Sequence, residues 1–358
     1  MDITQLVVPV NRGEPRVAAP LSAEIPTARK RIYIVDRGGF GNKVFDIICG
    51  LFLHDLYGGR CEINCVLYRS QHEKSTDPSI EEIFPQVRAK IRFVHDDVDY
   101  DILAPRETPS RWEGVKSLAD IPAYESLGSV TRASGMFNLA YQMFSQLGSA
   151  GRGMFEIRAT ALTKRSLVTK ITARSDYSVV HIRYGDKLWM VAKTPQSHFL
   201  VYTPQYYADM ISSIRRSERS PAHRVYIVTD SALVVREFIL DRFYSGDPAV
   251  QILDLRWLDA FYVLSRARNI VMSCSTFCFA AAYLGGGRAR SLLLLDEKST
   301  EGPPLWKREP LPEEAATDPA WEVITDERYL LNNDVPLAKA MHAFHRARRS
   351  RDPAAAAP

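Results

Sequence analysis

From residue 177 onward the chain alternates short runs rich in β-branched residues with stretches of helical period, and this alternation restricts the fold more than any other feature. Segments 177–183, 224–228, 250–255, 269–272 and 291–295 read as strands, and 203–215, 233–243, 258–267 and 276–284 read as helices between them. Strands separated by helices pair in parallel, because a parallel neighbour needs a crossover connection. The first half carries the same signal more faintly. There 31–35, 63–68 and 90–94 read as strands, and 43–57, 137–147 and 158–172 as helices, the first with Val44, Phe45, Ile47, Ile48, Leu51 and Phe52 on a wide apolar face. The Pro-, Ser- and Gly-rich stretch 105–130 reads as loops.

At 358 residues the chain is too long for one ordinary core. The expected fold is therefore α/β, with two Rossmann-like domains facing across a cleft. The expected boundaries are a disordered arm at 1–30, a first Rossmann-like domain at 31–175, a second at 176–335, and a basic C-terminal helix with a disordered tail at 336–358. A net charge of +4 suits an anionic small ligand and gives no reason to expect nucleic acid. No apolar run is long enough to span a bilayer and the first thirty residues carry no secretory pattern, so a cytoplasmic location without a transmembrane segment is expected. Cys49, Cys61, Cys65, Cys274 and Cys278 lack the spacing and histidine partners of a zinc site and read as reduced thiols.

Ligands of open parallel sheets bind beyond the carboxyl ends of strands. Four such ends carry polar or glycine-rich turns: Gly38-Gly39-Phe40-Gly41-Asn42, Arg183-Tyr184-Gly185-Asp186-Lys187, Thr229-Asp230-Ser231 and Ser273-Cys274-Ser275-Thr276. Ser275 and Thr276 open a helix, where unpaired N–H groups and the helix dipole favour an anion. Arg183 offers a planar fork matched to phosphate oxygens. A fixed guanidinium and a helix start together stabilise the charge that grows on a departing nucleoside diphosphate.

His181-Ile182-Arg183-Tyr184-Gly185-Asp186 resembles the H-x-R-R-x-D motif of the α1,2-, α1,6- and protein O-fucosyltransferases. Gly38-Gly39-Phe40-Gly41-Asn42 is similar to the G-G-x-G-N turn of the α1,2-fucosyltransferases and their protein O-linked relatives. Residues 259–284, with Ser275-Thr276 inside, look like the third region of that superfamily. The resemblance covers 31–300 in outline and is specific in these three windows. It implies a GT-B architecture and an inverting hexosyltransferase that takes a GDP-sugar, GDP-fucose first, without metal or other cofactor, and passes the sugar to a glycan or glycoconjugate acceptor.

Carried over by motif position, the resemblance implies that Arg183 holds the β-phosphate with Ser275 and Thr276. It implies that Asp259 accepts from the guanine edge, with Asp254 as its rival, and that Gly39, Gly41 and Asn42 close the cleft from the acceptor domain. The chain has Tyr184 where that superfamily often has a second arginine.

His181 reads as a donor-site residue or a packed strand histidine, and Asp230 as a nucleotide contact or a helix cap. Asp46 and Asp186 are the candidate bases for the acceptor hydroxyl. Two other functions fit the same residues. A metal-dependent transferase would hold its ion on Asp97 and Asp99; a catalytically inactive nucleotide- or carbohydrate-binding protein would bind without turnover.

Overall fold

The computed structural model describes residues 29–35, 38–67, 76–95, 115, 117–133, 139–174, 176–195, 200–218, 220, 222–292 and 318–351. The expected arm before residue 29, Asp97 and Asp99, and the tail after residue 351 lie outside them.

The first half holds β1 (Lys30–Val35), α1 (Phe40–Leu56), β2 (Cys61–Leu67), α2 (Ile80–Ile83), β3 (Ile91–His95), β4 (Val130–Ala133), α3 (Ala140–Gln146), α4 (Gly148–Gly153) and α5 (Arg165–Thr172). Its four strands lie in the order β3-β2-β1-β4 and every pair is parallel. The order reverses direction between β1 and β4, so the turn after β1 stands at a topological switch point.

The second half holds β5 (Tyr177–Ile182), α6 (Gly185–Lys193), α7 (Pro204–Glu218), β6 (Arg224–Thr229) and α8 (Ala232–Val235), which runs on through a π-helical stretch at Arg236–Leu240. Then come β7 (Val250–Ile252), α9 (Trp257–Ser265), β8 (Asn269–Val271), α10 (Thr276–Gly285), β9 (Arg288–Leu292), β10 (Trp321–Ile324) and α11 (Val335–Arg351). The sheet order β10-β9-β8-β5-β6-β7, parallel throughout, is the doubly wound order of dinucleotide-binding sheets. Its switch point falls between β5 and β8. The expected α/β architecture of two parallel, Rossmann-like sheets is therefore present.

The burial pattern explains why β5 is central. All six residues of Tyr177–Ile182 are buried, as a strand covered on both faces requires. α10 is apolar on every side, from Phe277 through Phe279, Ala280, Ala281 and Ala282 to Tyr283, and a helix of that kind must be covered all round. It packs on α9 within its own half and on α1 across the boundary, where Phe45 and Tyr283 meet with ring centroids 5.6 Å apart. One apolar cluster consequently runs from Ile32, Phe45 and Phe52 through Phe261, Ile270 and Phe279 to Trp321. Each fully buried phenylalanine in it stabilises the fold by roughly 1.5–3 kcal/mol. A second cluster, built on Tyr184, Tyr202, Tyr206 and Tyr207, fills the other face of the second sheet.

Besides the short helices α2 and α4, three elements depart from the sequence expectation. β4 emerges at the end of a stretch read as loop, a four-residue edge strand with too few residues to show a period. α6 occupies a region given no element, because its apolar face is only Leu188, Val191 and Ala192 and no side chain caps its start. β10 closes the sheet edge at Trp321–Ile324, inside a region given no element.

The five cysteines are free thiols, as expected. No described helix is long and apolar enough to cross a membrane, and no described group of three or more His, Cys, Asp or Glu side chains is placed to hold a metal ion.

Candidate functional site between the two switch points

The carboxyl ends of β5, β6 and β8 are tied together by side chains. Asp230, just past β6, accepts at Oδ1 from the N–H groups of both Tyr184 and Gly185, each at 3.0 Å. This fixes the turn after β5. A side chain at position 185 would put its Cβ 2.5 Å from Asp230 Oδ2, so the turn can approach that closely only as glycine. Next to it, His181 Nδ1 lies 2.7 Å from Ser273 Oγ, which joins the end of β5 to the turn after β8 across the switch point. The His181 ring also stacks on Phe277 in the first turn of α10, centroids 5.5 Å apart.

Arg183 sits in the middle of this knot. Its side chain is 29% exposed, its Nη2 reaches Asp186 Oδ1 only at 3.5 Å, and its Nε is buried with no hydrogen-bond partner. Buried guanidinium nitrogens are normally paired, so this one is a donor without its acceptor. Asp186 is shared between Arg183 and Lys187, whose Nζ lies 3.0 Å away. Burial raises the pKa of Asp186, but the charges of Arg183 and Lys187 outweigh burial and hold the carboxyl below its usual value.

α10 begins beside this turn. Ser275 Oγ accepts from the Phe277 N–H at 3.3 Å and caps the helix. Thr276 Oγ1 donates to Asn42 Oδ1 at 2.6 Å, so the start of α10 is joined directly to the glycine turn after β1. Gly41 lies flat against it: a Cβ there would stand 2.4 Å from Thr276 C and from Phe277 N. Gly39 caps α1 in an extended conformation with open space around it. The two switch points thus face each other, and the residues carrying three of the four expected turns, Asn42, Arg183 and Thr276, belong to one locality.

The aromatic packing continues from that locality to the far side of the boundary. Phe277 meets Phe261 at 5.3 Å, Phe261 meets Phe40 at 4.8 Å, and Phe40 meets Trp257 at 4.7 Å. Trp257 Nε1 donates to Asp77 Oδ2 at 3.0 Å, and Arg256 pairs with the same carboxylate. A loop of the first half is therefore pinned to the start of α9.

Four expected site residues have other work. Asp259 is fully buried, and its two carboxylate oxygens accept from the backbone N–H groups of Thr163 at 2.9 Å and Lys164 at 3.1 Å. It anchors the entry to α5 and offers no oxygen to a guanine edge. Asp46 is 1% exposed on the sheet side of α1, where its backbone carbonyl accepts from Cys65 Sγ, so it is not a base for an incoming hydroxyl. His181 is 8% exposed, and burial together with the Arg183 charge pushes its pKa down to about 3. It is a neutral structural histidine spending Nδ1 on Ser273. Asp230 does not cap α8; its Oδ1 braces the Arg183 turn, and the residue itself is exposed.

Tyr184 is also a core residue: its ring is fully buried and its hydroxyl donates to the Tyr202 carbonyl at 3.1 Å. Phe277 belongs to the site and was not singled out from the sequence, although it directly follows the helix start already marked; Ser273, inside a marked turn, was given no role of its own. Asp254, the rival of Asp259, lies past β7, fully exposed, with Lys164 Nζ 2.8 Å away.

No protein-family model matches this sequence, and no curated protein does. Among solved structures the chain is similar to POFUT1 in complex with GDP, with 13% identity, 73% of this chain and 96% of that chain covered, and a TM-score of 0.44. It is similar to a mutant of Arabidopsis thaliana FUT1 in complex with GDP at 12% identity, 77% and 72% coverage and a TM-score of 0.42. It is similar to E. coli heptosyltransferase WaaC with ADP at 13% identity, 88% and 98% coverage and a TM-score of 0.39.

Proposed function

We propose that this chain is an inverting, metal-independent glycosyltransferase that moves a sugar, L-fucose in the first instance, from a GDP-sugar to a hydroxyl of a glycan. The observation that carries the reading is the buried, unpartnered Arg183 Nε, placed at the switch point of a doubly wound sheet beside the start of α10. The motif windows around Arg183, Asn42 and Thr276 support the sugar-nucleotide class, since the fold brings them to one place.

In this reading the diphosphate lies between the Arg183 guanidinium and the first turn of α10. As the acceptor hydroxyl oxygen bonds to the anomeric carbon and releases its proton to water, the bond to the β-phosphate oxygen breaks and negative charge accumulates on the diphosphate. Arg183 and the helix dipole stabilise it there. Asp230 has already fixed the Arg183 turn, so little reorganisation accompanies the step. Of the two aspartates considered for the guanine edge, Asp254 is the exposed one and takes that role. Asp186, ionised and held by two cations, orients Arg183 and is a weak proton acceptor.

The test is a thermal-shift panel of GDP, UDP, CDP and ADP with and without EDTA, followed by GDP-fucose turnover. A nucleotide at about 100 times its Kd stabilises the native state by about 2.7 kcal/mol, so a specific ligand moves the midpoint clearly. GDP alone is expected to do so, regardless of EDTA; stabilisation by UDP and not GDP removes the GDP-sugar reading. A second reading is favoured by one observation, that neither Asp46 nor Asp186 is placed as a base: the chain then binds a GDP-sugar without transferring it. GDP stabilisation with no loss of GDP-fucose in the presence of any acceptor supports that reading.

A further inference from the structure

α6 leaves the Arg183 turn with one face buried, through Leu188, Val191 and Ala192, and the opposite face exposed. The exposed face carries Trp189, which is 45% exposed, one of few large apolar side chains left open on the described surface. Lys193, one turn further on, places Nζ 4.6 Å from the Trp189 ring centroid. α6 packs along α11, and there His342 feels the charges of both Lys193 and Arg346 after the larger effect of its own burial. α11 contains Lys339, Arg346, Arg348, Arg349 and Arg351 and no Asp or Glu between Val335 and Arg351. Lys339, Arg346 and Arg348 are exposed. The neighbouring α8 segment contributes no excess of either sign, since Arg236 and Arg242 stand with Glu237 and Asp241.

We propose that the joint face of α6 and α11, formed by Trp189, Lys193, His342, Arg346 and Arg348, docks the protein on an anionic phospholipid surface. The chemistry is complementary: cations on two packed helices meet lipid phosphates, and an exposed indole settles at headgroup depth, where its apolar ring and polar N–H are both accommodated. The same face suits nucleic acid less well, because the Lys193 ammonium already covers the ring on which a base would stack. The surface lies on the helix that begins at the Arg183 turn, so lipid docking brings the candidate site to the membrane without any change of fold.

The experiment is co-sedimentation of the full chain with phosphatidylcholine vesicles, with and without about one-quarter phosphatidylglycerol, at low salt and at about 0.5 M NaCl, where the screening length is only a few ångströms. The chain is expected to sediment with the anionic vesicles at low salt only. Arg346→Glu/Arg348→Glu and, independently, Lys193→Glu are expected to weaken that binding by at least about tenfold, with thermal midpoints like that of the unaltered chain showing that each variant is folded. Brominated lipid is expected to quench the unaltered chain more than Trp189→Phe. Equal sedimentation with neutral and anionic vesicles, no binding to either, or wild-type binding by both charge variants overturns the proposal. So does tighter, salt-sensitive retention of the chain by a single-stranded oligonucleotide than by the anionic vesicles.

Discussion

The Thr276 hydroxyl donates to Asn42 Oδ1 at 2.6 Å, and this contact joins the switch point of one sheet to that of the other across 234 residues of sequence. It is part-buried, with Asn42 in the first turn of α1 and Thr276 at the start of α10. In a double-mutant cycle of Thr276→Val and Asn42→Ala, read by urea unfolding, a coupling of about 0.5–1.5 kcal/mol is expected. Strict additivity of the two changes would show that the contact does not form in solution.

Gly41 and Gly39 lie in the same turn and should respond oppositely to the same change. Gly41→Ala drives a methyl group into the backbone of Thr276 and Phe277, neither of which can rotate away. It is expected to cost about 1–3 kcal/mol and to abolish the stabilisation by nucleotide. Gly39→Ala meets nothing within 4 Å and has an ordinary φ of −75°, so its effect on stability should stay within about 0.5 kcal/mol. Urea midpoints for the two variants check both statements.

Arg183→Lys keeps the charge and loses the planar fork, and Arg183→Ala loses both. Neither removes a packed apolar group, and the unpartnered Nε disappears in each. The ligand-free melting temperature should therefore hold or rise slightly, while the shift produced by GDP disappears in the alanine variant. Turnover in both is expected to fall by about 10²–10³. A retained GDP shift in Arg183→Ala would place the phosphates elsewhere.

Asp259 and Asp254 separate structure from recognition. Asp259→Ala removes a buried carboxylate that two part-buried backbone N–H groups rely on and is expected to destabilise the fold by about 1–3 kcal/mol, with the nucleotide preference of the folded fraction unchanged. Asp254→Asn, on an exposed side chain, should leave stability within about 0.5 kcal/mol and reduce the preference for GDP over ADP. Thermal melts with each nucleotide report both outcomes.

The buried His181 makes stability depend on pH with a defined sign. Its folded pKa of about 3 lies below the ordinary 6.5, because burial, and then Arg183, disfavour the charged ring. Between those two values the unfolded chain binds the extra proton and the native chain does not, so stability falls as pH drops from about 6.5 towards 3. The contribution is roughly 1 kcal/mol per pH unit in that window. His223 and His342, also lowered first by burial, act in the same direction. The read-out is therefore the difference: His181→Gln should lose less stability than the unaltered chain between pH 6.5 and 5.

Much of the architecture was legible before any coordinates. β5, β6 and β8 and helices α1, α7, α9 and α10 lie within a few residues of the ranges read from period and composition, because each has enough buried positions to show a pattern. The site was legible as a set of strand ends, since parallel sheets place ligands there by rule. What the side chains do at those ends was not. Asp259 and Asp230 owe their roles to backbone groups 96 and 46 positions away, and sequence spacing carries no trace of such pairs. Tyr184 is adjacent to Arg183 in the chain yet points into a cluster of tyrosines, as successive residues leaving a strand face opposite ways. A short motif reports which residues are neighbours, and not which side of the sheet each one serves.

The apolar cluster that runs through both sheets has a consequence for the chain as it is made. Phe45 on α1 is covered by Tyr283 on α10, so the outer face of the first long helix stays uncovered until the ribosome has released residues near the end of the second sheet. At ordinary synthesis rates that interval is on the order of tens of seconds. During it the nascent first half presents Phe45 and its neighbours to water or to a chaperone, and the halves complete one another only once α10 has been made.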